Sequence, residues 1–513
     1  MVPAALTSWA VTAAGITWGP GAALWVAAAA VAVTVATAWK VRNVTADGRS
    51  EGCTADARSE GGTAVWPSIL AVTLVGLAFS VAVGLRVDDV RRHPIVADYG
   101  STAMVVVTPS ESPRFLGGSR MMFRGTLRSL DGSPSWGRVV VFASSVDFGE
   151  LTAGRPAAFR AGVSRPTRRD LSVAVLSATD EPQLGTASAV QRAAAAVRVQ
   201  FADTARSALP ADQAAMLPAL VLGETGALTA DTVDEFRIAG LTHLTAVSGA
   251  NVTIVCGAVL LTAVLVGPRV AVGLAALALV AFVVVVQPSA SVLRAAVMGA
   301  IALFAVVSKR RRQAIPALSA CVLVLLVAAP ELAVDVGFAL SVSATAGLVV
   351  IAPVWARRLV DRGWPTPLAG AVSVAVAAQL VTAPLVAGMS GTFSLVAVLA
   401  NLLVAVVIPP ITVLGTGAAA VSALWPSAAQ SLIRFTGPEL WWLMRVAGWS
   451  SALPGAVVPV PSGLPGVVGV AVAGIASTLL WRHRWGRTVL GTAMVCLVAW
   501  SLSGHGVEAV GPP

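Results

Sequence analysis

A succession of long apolar runs between residues 241 and 503 constrains this chain more than any other feature. Only 12% of the 513 residues are charged, about half the share of about 25% in soluble domains. That leaves too little polar surface to cover a globule of this size, so the sequence predicts an α-helical polytopic membrane protein. The core spans are expected near residues 241–266, 270–287, 291–307, 313–328, 333–353, 367–388, 393–408, 411–424, 463–481 and 487–503.

The N-terminal region, residues 1–94, adds three predicted spans and brings the total to about thirteen. Residues 1–39 carry no charged side chain, so the basic segment that opens a cleavable signal peptide is missing. Gly19-Pro20 breaks this stretch and indicates a tight hairpin. The three spans lie near residues 4–18, 21–39 and 66–85, with a polar loop over 40–64 before the third.

The basic residues orient these spans. The chain has a formal net charge of +10, and short cytoplasmic loops of membrane proteins are enriched in Lys and Arg. With thirteen spans and a cytoplasmic N-terminus, five groups of basic residues fall on the cytoplasmic side of the cell (inner) membrane: Lys40/Arg42, Arg269, Lys309–Arg312, Arg357–Arg362 and Arg482–Arg487. The same parity places residues 95–182, an interfacial Trp-rich helix over 430–452 and the tail 504–513 outside. The positive excess also suits a polyanionic partner.

Residues 95–182 have a different pattern. Their apolar runs are short and alternate with polar residues, which predicts a small extracytoplasmic all-β domain of about five strands. Its ten arginines fit an OB-like barrel, a fold that often binds single strands through stacking and arginine contacts. The candidate DNA-binding residues are Arg114, Arg120, Phe123, Arg124, Arg128 and Trp136. A purely structural barrel is an equally open interpretation.

Residues 183–240 lead into the core through two predicted helices. The first, over 186–208, is amphipathic and is expected on the membrane surface, with Arg198 on its polar side. Its apolar side carries Val190, Ala194, Val197, Phe201 and Ala208. The second is short and acidic. It begins around Thr229–Thr232, where Thr232 and Glu235 have capping-box spacing, and Gly240 ends it at the C′ position.

The first core segment opens with many polar residues. Thr242, Thr245 and Ser248 lie within about 120° of one another on a helix, and Ser248-Gly249 permits a break. Broken helices with polar groups at membrane depth line cavities or pack inside protein. The segment therefore supplies the first candidates for a solute path: His243, Ser248, Gly249 and Asn251. Helix packing through small residues is the alternative.

Four more polar residues stand in apolar surroundings and complete the candidate path: Arg294, Asp335, Gln379 and Asn401. A charge at membrane depth costs at least ~2.5–3.5 kcal/mol on insertion scales, so it usually has a partner or a function. For Arg294 the alternative is a side chain that reaches toward the membrane surface. For Asp335 it is capping of a helix start.

Five strings resemble, in the same order, the signature of the ComEC family of competence proteins: Gly240-Leu-Thr-His-Leu-Thr-Ala-Val-Ser-Gly249 and residues 291–298, 335–341, 379–384 and 401–403. The layout of membrane region, OB-like domain and polytopic core, over residues 1–503, is similar too. The resemblance implies an inner-membrane channel that conducts single-stranded DNA into the cytoplasm during natural transformation. Its expected partners are the DNA strand, the lipid bilayer, a DNA receptor, a separate nuclease and a cytoplasmic ATPase or helicase.

Departures from the family pattern narrow the expected chemistry. Ala250-Asn251 stand where the family often has Leu-His, which argues against a role for an imidazole there. The metallo-β-lactamase-like domain of many members is not expected, because the four histidines stand in separate regions. Neither Lys40 nor Lys309 follows a glycine, as a Walker A loop requires. We therefore expect no catalytic residue, no metal and no cofactor.

Two other functions stay open at this point: a transporter for another anionic or amphipathic solute, and a non-transporting membrane assembly protein. An intramembrane hydrolase that pairs Ser248 with His243 is disfavoured, since five residues separate them by about 140° around a helix. Loss of DNA uptake on deletion would distinguish the DNA channel from both alternatives. The sequence does not predict the oligomeric state.

Overall fold

The computed structural model describes residues 1–47, 65–111, 113–245, 249–262, 266–287, 290–307 and 314–480. The chain divides into two compact units, each assembled from two stretches of sequence. The first comprises Met1–Ala193 and Gln287–Ala339, and the second comprises Ala194–Val286 and Leu340–Pro513. The domain boundaries expected after residues 94, 182, 240 and 503 follow the linear order of the chain and stay predictions.

Helices dominate the described chain. In chain order they are α1 (Val2–Trp18), α2 (Pro20–Asp47), α3 (Val65–Arg91), α4 (Ala189–Ala208), α5 (Ala211–Leu222), α6 (Ala230–Ile238), α7 (Thr242–Thr245), α8 (Gly249–Thr262), α9 (Pro268–Val286), α10 (Ala290–Val307), α11 (Ala314–Ala328), α12 (Val336–Val350), α13 (Ala352–Val360), α14 (Thr366–Ser390), α15 (Ala397–Val404), α16 (Ile408–Val421), α17 (Pro426–Phe435), α18 (Gly437–Ala452) and α19 (Leu464–Leu480). The strands are β1 (Thr102–Pro109), β2 (Arg114–Gly117), β3 (Arg120–Leu130), β4 (Ser133–Ser144), β5 (Ala157–Ser164), β6 (Ser172–Ala178), β7 (Gln183–Leu184), β8 (Thr392–Ser394) and β9 (Val457–Pro459).

The first three helices of the first unit pack against one another. Gly19, with a φ of +101°, separates α1 from α2, as the predicted hairpin requires. An added Cβ at Gly15 would lie 2.5 Å from Val83, so a larger residue would push α1 away from α3. Trp9 fixes α1 within the same unit, because its Nε1 donates to the Ala333 carbonyl at 2.8 Å.

The strands β1 to β7 form a barrel-like sheet in the first unit. Five long strands follow the closed order β1-β3-β4-β6-β5, because β1 pairs with both β3 and β5. Within this ring only β4 and β6 pair in parallel. The short strands β2 and β7 pair with β3 and β5. The expected small all-β domain is confirmed, and its predicted five strands correspond to the five long ones.

Alternating side chains fill this barrel. In β1 and β5 every second residue is buried, which is the period of a strand. The core holds the rings of Phe123, Phe148 and Phe159, with Phe148 edge-on to Phe159 at 5.2 Å between centroids. Asp131 and Gly132 turn the β3–β4 hairpin, both with positive φ, as a two-residue type I′ loop requires.

The second unit contains most of the predicted helical core. The long helix α14 packs against α13 and α19, and α8 packs against α9 and α16. The Trp-rich helix α18 contacts α5, α6 and α15. Strands β8 and β9 pair with each other, with Thr392 opposite Pro459. This arrangement brings the short helices α6, α15 and α18 together, and they carry the site described below.

The amphipathic helix predicted over 186–208 is α4, and Ala194 and Phe201 of its predicted apolar side are buried, but Arg198 is buried beside them. Arg198, assigned to the polar side, is buried, whereas Val190 is exposed. The Arg198 Nε lies 3.1 Å from Oε1 of Glu224, and its NH1 donates to the Val285 carbonyl at 3.0 Å. Burial raises the pKa of the Glu224 carboxyl, and the Arg198 charge partly offsets this. An ionic partner therefore adds Arg198 to the packed side of α4.

Five helical stretches of the described residues are long and apolar enough to cross a membrane: Pro20–Thr37, Ile69–Arg91, Arg269–Val286, Val336–Val360 and Thr366–Ser390. Apolar side chains remain uncovered on such helices, and Leu277 and Val280 are both more than 60% exposed. Large uncovered apolar surfaces are typical of lipid-facing protein. The structure is that of a multi-pass helical membrane protein.

The prediction of two spans over residues 393–424 stays a prediction. The sequence indicated two crossings over residues 393–424, whereas α15 and α16 are short helices bent by 54° that reach the length of one span only together. The remaining apolar helices, such as α8 and α11, have 10–17 residues in the apolar stretch. The count of about thirteen spans and the orientation stay predictions, and the expected span 487–503 lies outside the described residues.

Candidate functional site

The candidate residues of the path divide between the two units. The second unit holds His243, Gly249, Asn251, Gln379 and Asn401, and the first holds Arg294, Asp335 and the candidates of the barrel. Ser248 lies outside the described residues. Each group is described within its own unit.

The end of α6 is the centre of the site in the second unit. Gly240 follows this helix with a φ of +71°, which confirms its predicted C′ position. An added Cβ at Gly240 would lie 2.5 Å from the Cβ of Ala397 in α15. Conformation and close packing therefore both require glycine here. The predicted N-cap is wrong by three residues: Thr229, not Thr232, caps α6 by accepting from the Thr232 amide at 3.3 Å.

Two side chains from the β8–α15 segment hold the end of α6. Ser394 donates from Oγ to the Ile238 carbonyl at 2.7 Å. Asn401 donates from Nδ2 to the Gly240 carbonyl at 3.4 Å and to the Ala397 carbonyl of its own helix at 2.8 Å. The Ile238 and Gly240 carbonyls lie at the end of α6, where no amide of the same helix is available. The candidate Asn401 thus joins the two predicted motifs around residues 240 and 401.

Asn251 donates a hydrogen bond to a backbone carbonyl at another helix end. It is 6% exposed in α8, and its Nδ2 donates to the Leu220 carbonyl at 2.9 Å. Leu220 lies in the last turn of α5, whose final carbonyls lack intrahelical partners. The asparagine that stands where the resembling family often has histidine therefore fixes the start of α8 against α5. An imidazole could make a similar contact only through one ring N–H.

The other candidates of the second unit are less constrained. His243 is exposed on the single turn α7, and Gly249 is the half-buried first residue of α8. Gln379 is half-buried in α14, which contacts α15. The helical chain is interrupted on both sides of the Gly240–Asn401 contact, since α6 ends at Ile238 before Gly240 and α15 ends at Val404, where it is bent by 54° from α16.

In the first unit Asp335, a candidate for the path, forms an ion pair with Arg124, a candidate of the barrel. Asp335 caps α12, because its Oδ1 accepts from the Phe338 amide at 2.8 Å. Its Oδ2 accepts from NH1 of Arg124 at 3.3 Å. A second ion pair joins Arg138 of β4 to Glu331. Helix capping, the alternative for Asp335, is thus observed, and Arg124 serves to hold the barrel on the loop before α12.

Arg294 lies in α10 and is 5% exposed. Its backbone carbonyl accepts from the thiol of Cys321 in α11 at 3.6 Å. A side chain that reached the membrane surface would be exposed at its end. The buried Arg294 therefore does not fit that alternative.

The barrel candidates have unequal access to a ligand. Phe123 is completely buried in the barrel core, so its prediction as a DNA contact is wrong. Neighbouring residues of a strand point to opposite faces of the sheet, and Phe123 occupies a position that points inward. Trp136 is 66% exposed, and the guanidinium of Arg128 lies 4.4 Å from its ring centroid. Arg120 is exposed at the start of β3, and the side chain of Arg114 lies outside the described residues.

The sequence interpretation overlooked one group in the second unit. Trp441, Arg445 and Trp449 are exposed on α18, with the Arg445 guanidinium 6.0 and 5.4 Å from the two ring centroids. Their spacing of four residues is visible in the sequence and places them on one helix face. The sequence predicted only an interfacial position for this helix, within residues 430–452.

Taken together, the fold and the site define a multi-pass helical membrane protein with a small barrel-like β domain and interrupted helices fixed by side-chain caps. The chain belongs to the competence protein family: the family model described as Competence protein matches residues 220–485, more than half of its length. This confirms the resemblance found in its motifs and supports a role in DNA uptake. Searches of curated proteins and of solved structures find no match.

Proposed function

We propose that the protein conducts a single strand of DNA across the inner membrane into the cytoplasm during natural transformation. The observation that carries the proposal is the meeting of two interrupted helical segments at Gly240. One runs from α6 to α7 with Gly240 at its break, the other runs from α15 to α16, and Asn401 of the second donates to the Gly240 carbonyl of the first. Interrupted helices are tolerated at membrane depth where they line a cavity, and transporters build substrate sites at such breaks.

In this function the barrel is an OB-type module that receives the strand outside the cytoplasm. Its closed ring of five long strands suits that fold, and the exposed Trp136 beside Arg128 offers a stacking face. The orientation with a cytoplasmic N-terminus, thirteen spans and an extracytoplasmic C-terminus belongs to the same proposal. It follows from the basic clusters, although Arg311 and His505, where labelling would test it, lie outside the described residues.

We also infer that the chain is not a nuclease and acts with other proteins. Hydrolysis of a phosphodiester generally needs metal ions held by clustered carboxylates. In the acidic helix α6, Asp234 pairs with Arg237 at 3.0 Å, and Glu235 faces Gly448 of α18, so these two carboxylates point to different neighbours. A separate nuclease, a DNA receptor, and a cytoplasmic ATPase or the membrane gradient would then supply the remaining steps.

Transport into vesicles tests the proposal. The full-length protein is reconstituted with a pH gradient, and a labelled single strand is added outside with a nuclease. A strand that enters becomes resistant to that nuclease. We expect protection with wild type and a loss of at least tenfold with Asn251→Leu or Arg294→Ala. Thr253→Val is the matched control for Asn251, because Thr253 is exposed on α8 and its hydroxyl donates to the Gly249 carbonyl of the same helix.

Each other outcome has a definite meaning. No protection in any vesicle counts against conduction by this chain. Equal entry of a small anionic dye and of the strand would favour a transporter for other anionic solutes. Shortened strands inside wild-type vesicles without added nuclease would show that the chain cleaves DNA.

A further inference from the structure

A pocket in the second unit lies between the start of α5, the acidic helix α6 and one face of α18. It has a volume of about 320 Å³, close to the lower limit of about 300 Å³ for small-molecule sites. Two indoles, one guanidinium and two carboxylates contribute to its wall: Trp441, Trp449, Arg445, Asp212 and Glu235. We name it the Trp–Arg–Trp pocket.

About half of the surface of each indole side chain is exposed. Trp441 and Trp449 are 52% and 53% exposed, although each carries a large apolar surface. Arg445 stands between them on the same face of α18 and lies closer to Trp449. Its side chain is itself exposed, so its N–H groups remain accessible to an anion.

A neighbouring indole, that of Trp442, holds the ring of Trp449 in its orientation. Trp442 donates from Nε1 to the Leu403 carbonyl of α15 at 3.0 Å. The Trp442 and Trp449 rings form a T-shaped contact at 88°, with 6.3 Å between centroids. An aromatic ring held in this way loses little freedom when a second flat ring stacks on it. The anchor also links the pocket to α15, the helix that holds Gly240.

The opposite wall offers hydrogen-bond acceptors. The carboxylate of Glu235 lies over Gly448, where an added Cβ would be 3.8 and 3.9 Å from its two oxygens. Within the described part of the chain, no hydrogen bond or ion pair involves the side chain of Glu235, whereas that of its neighbour Asp234 pairs with Arg237. With a second acid, Asp212, the pocket carries more negative than positive charge. This excludes a simple anion as its best ligand.

A flat ring that donates hydrogen bonds and carries a phosphate fits all these groups. We propose that the Trp–Arg–Trp pocket holds one unpaired nucleobase of the single strand. The base stacks on an indole, its amino group donates to Glu235, as cytosine N4 does to carboxylates, and the adjoining phosphate meets Arg445. Bases with an amino group are therefore preferred to thymine. This inference rests on the proposed function and names a contact site for its substrate.

Photocrosslinking and affinity measurements on the full-length protein in lipid nanodiscs test the site. A single strand carrying 5-iodocytosine should crosslink to Trp441 or Trp449. Trp449→Ala should weaken binding of oligo(dC) about 5- to 150-fold, with partial recovery in Trp449→Phe. Arg445→Ala should reduce the salt slope of binding by ~0.7. Glu235→Gln should reduce the preference for oligo(dC) over oligo(dT).

Trp425→Ala is the matched control, because Trp425 is also an exposed indole, at 66%, but does not line the pocket. Equal loss in Trp425→Ala and Trp449→Ala, without a crosslink in the pocket, would assign these rings to the membrane interface and overturn the inference. So would unchanged affinity in Trp449→Phe, Arg445→Ala and Glu235→Gln together. Strand entry into wild-type vesicles decides the proposed function separately, since it can persist when the pocket binds no base.

Discussion

The barrel of the first unit and the helix ends of the second unit use their polar side chains differently. The barrel makes ion pairs, such as Arg124 with Asp335, whose side chains remain 32% and 19% exposed. The helix ends of the second unit use neutral donors, Asn251, Ser394 and Asn401, which donate to backbone carbonyls.

The difference follows from the cost of burial. An amide that makes its hydrogen bond is tolerated in an apolar setting, whereas a charge requires a partner and hydration to be stable there. Hydrogen bonds from neutral side chains should therefore be insensitive to salt and pH, whereas ion pairs should respond to both. The following variants test that distinction.

The largest effect is expected at Gly240. Gly240→Ala combines a positive φ with an overlap on Ala397, and strain and overpacking of this kind together cost about 2–4 kcal/mol. We expect a clear fall in the thermal unfolding temperature of the full-length protein in detergent, equal at low and high salt. Gly257→Ala is the control, since an added Cβ there meets nothing within 4 Å. Equal melting of the two variants would show that the α6–α15 contact contributes little.

A smaller and salt-dependent effect is expected for the ion pair of the barrel. In a double-mutant cycle, Arg124→Ala and Asp335→Asn should couple by about 0.5–1 kcal/mol at low salt and less at high salt. Asparagine keeps the capping ability of residue 335, so the cycle isolates the charge. Arg128→Ala is the control for Arg124, because Arg128 contacts Thr108 and Trp136 instead. Additive effects that do not change with salt would rule out an ion pair that matters in solution.

The sequence predicted what depends on local patterns. The five long strands, the break at Gly19 and the stop at Gly240 each follow from a period of two or from one backbone conformation. Phe123 was misassigned because the direction of a strand residue depends on register, and register depends on distant pairing.

Partners far apart in the chain were not predictable in the same way. Arg124 and Asp335 are 211 residues apart, and nothing near either residue identifies the other. Arg198 was placed on the polar side of its helix because periodicity counts apolar residues and cannot register a buried ion pair. Only part of the Trp–Arg–Trp pocket was predictable. The sequence shows the spacing of its residues on α18, but it does not show that Glu235 of another helix lies beside them.

The smallest effect is expected from protonation of His93, which follows α3 and begins the barrel. Its Nδ1 accepts from the Ile95 amide at 3.2 Å, and its Nε2 lies 3.3 Å from Oγ of Ser135. Burial lowers the pKa of His93 from its usual 6.5, and a backbone contact with Trp136 offsets part of this. The folded state therefore favours the neutral ring, and protonation would put a hydrogen on the nitrogen that accepts from Ile95. The stabilisation is complete above pH 6.5 and is lost as the pH falls through the lowered pKa of the folded state.

Hydrogen exchange of residues 94–98 between neutral pH and about pH 5 measures this loss. After correction for the intrinsic rate, protection in wild type should fall by an amount worth about 0.5–1 kcal/mol, the net value of one hydrogen bond. His93→Asn retains an acceptor oxygen but does not titrate, so its protection should stay flat, while α18 should not respond in either protein. A fall of the same size in His93→Asn would assign the pH sensitivity to other groups, such as the carboxylates that pair with Arg124 and Arg138.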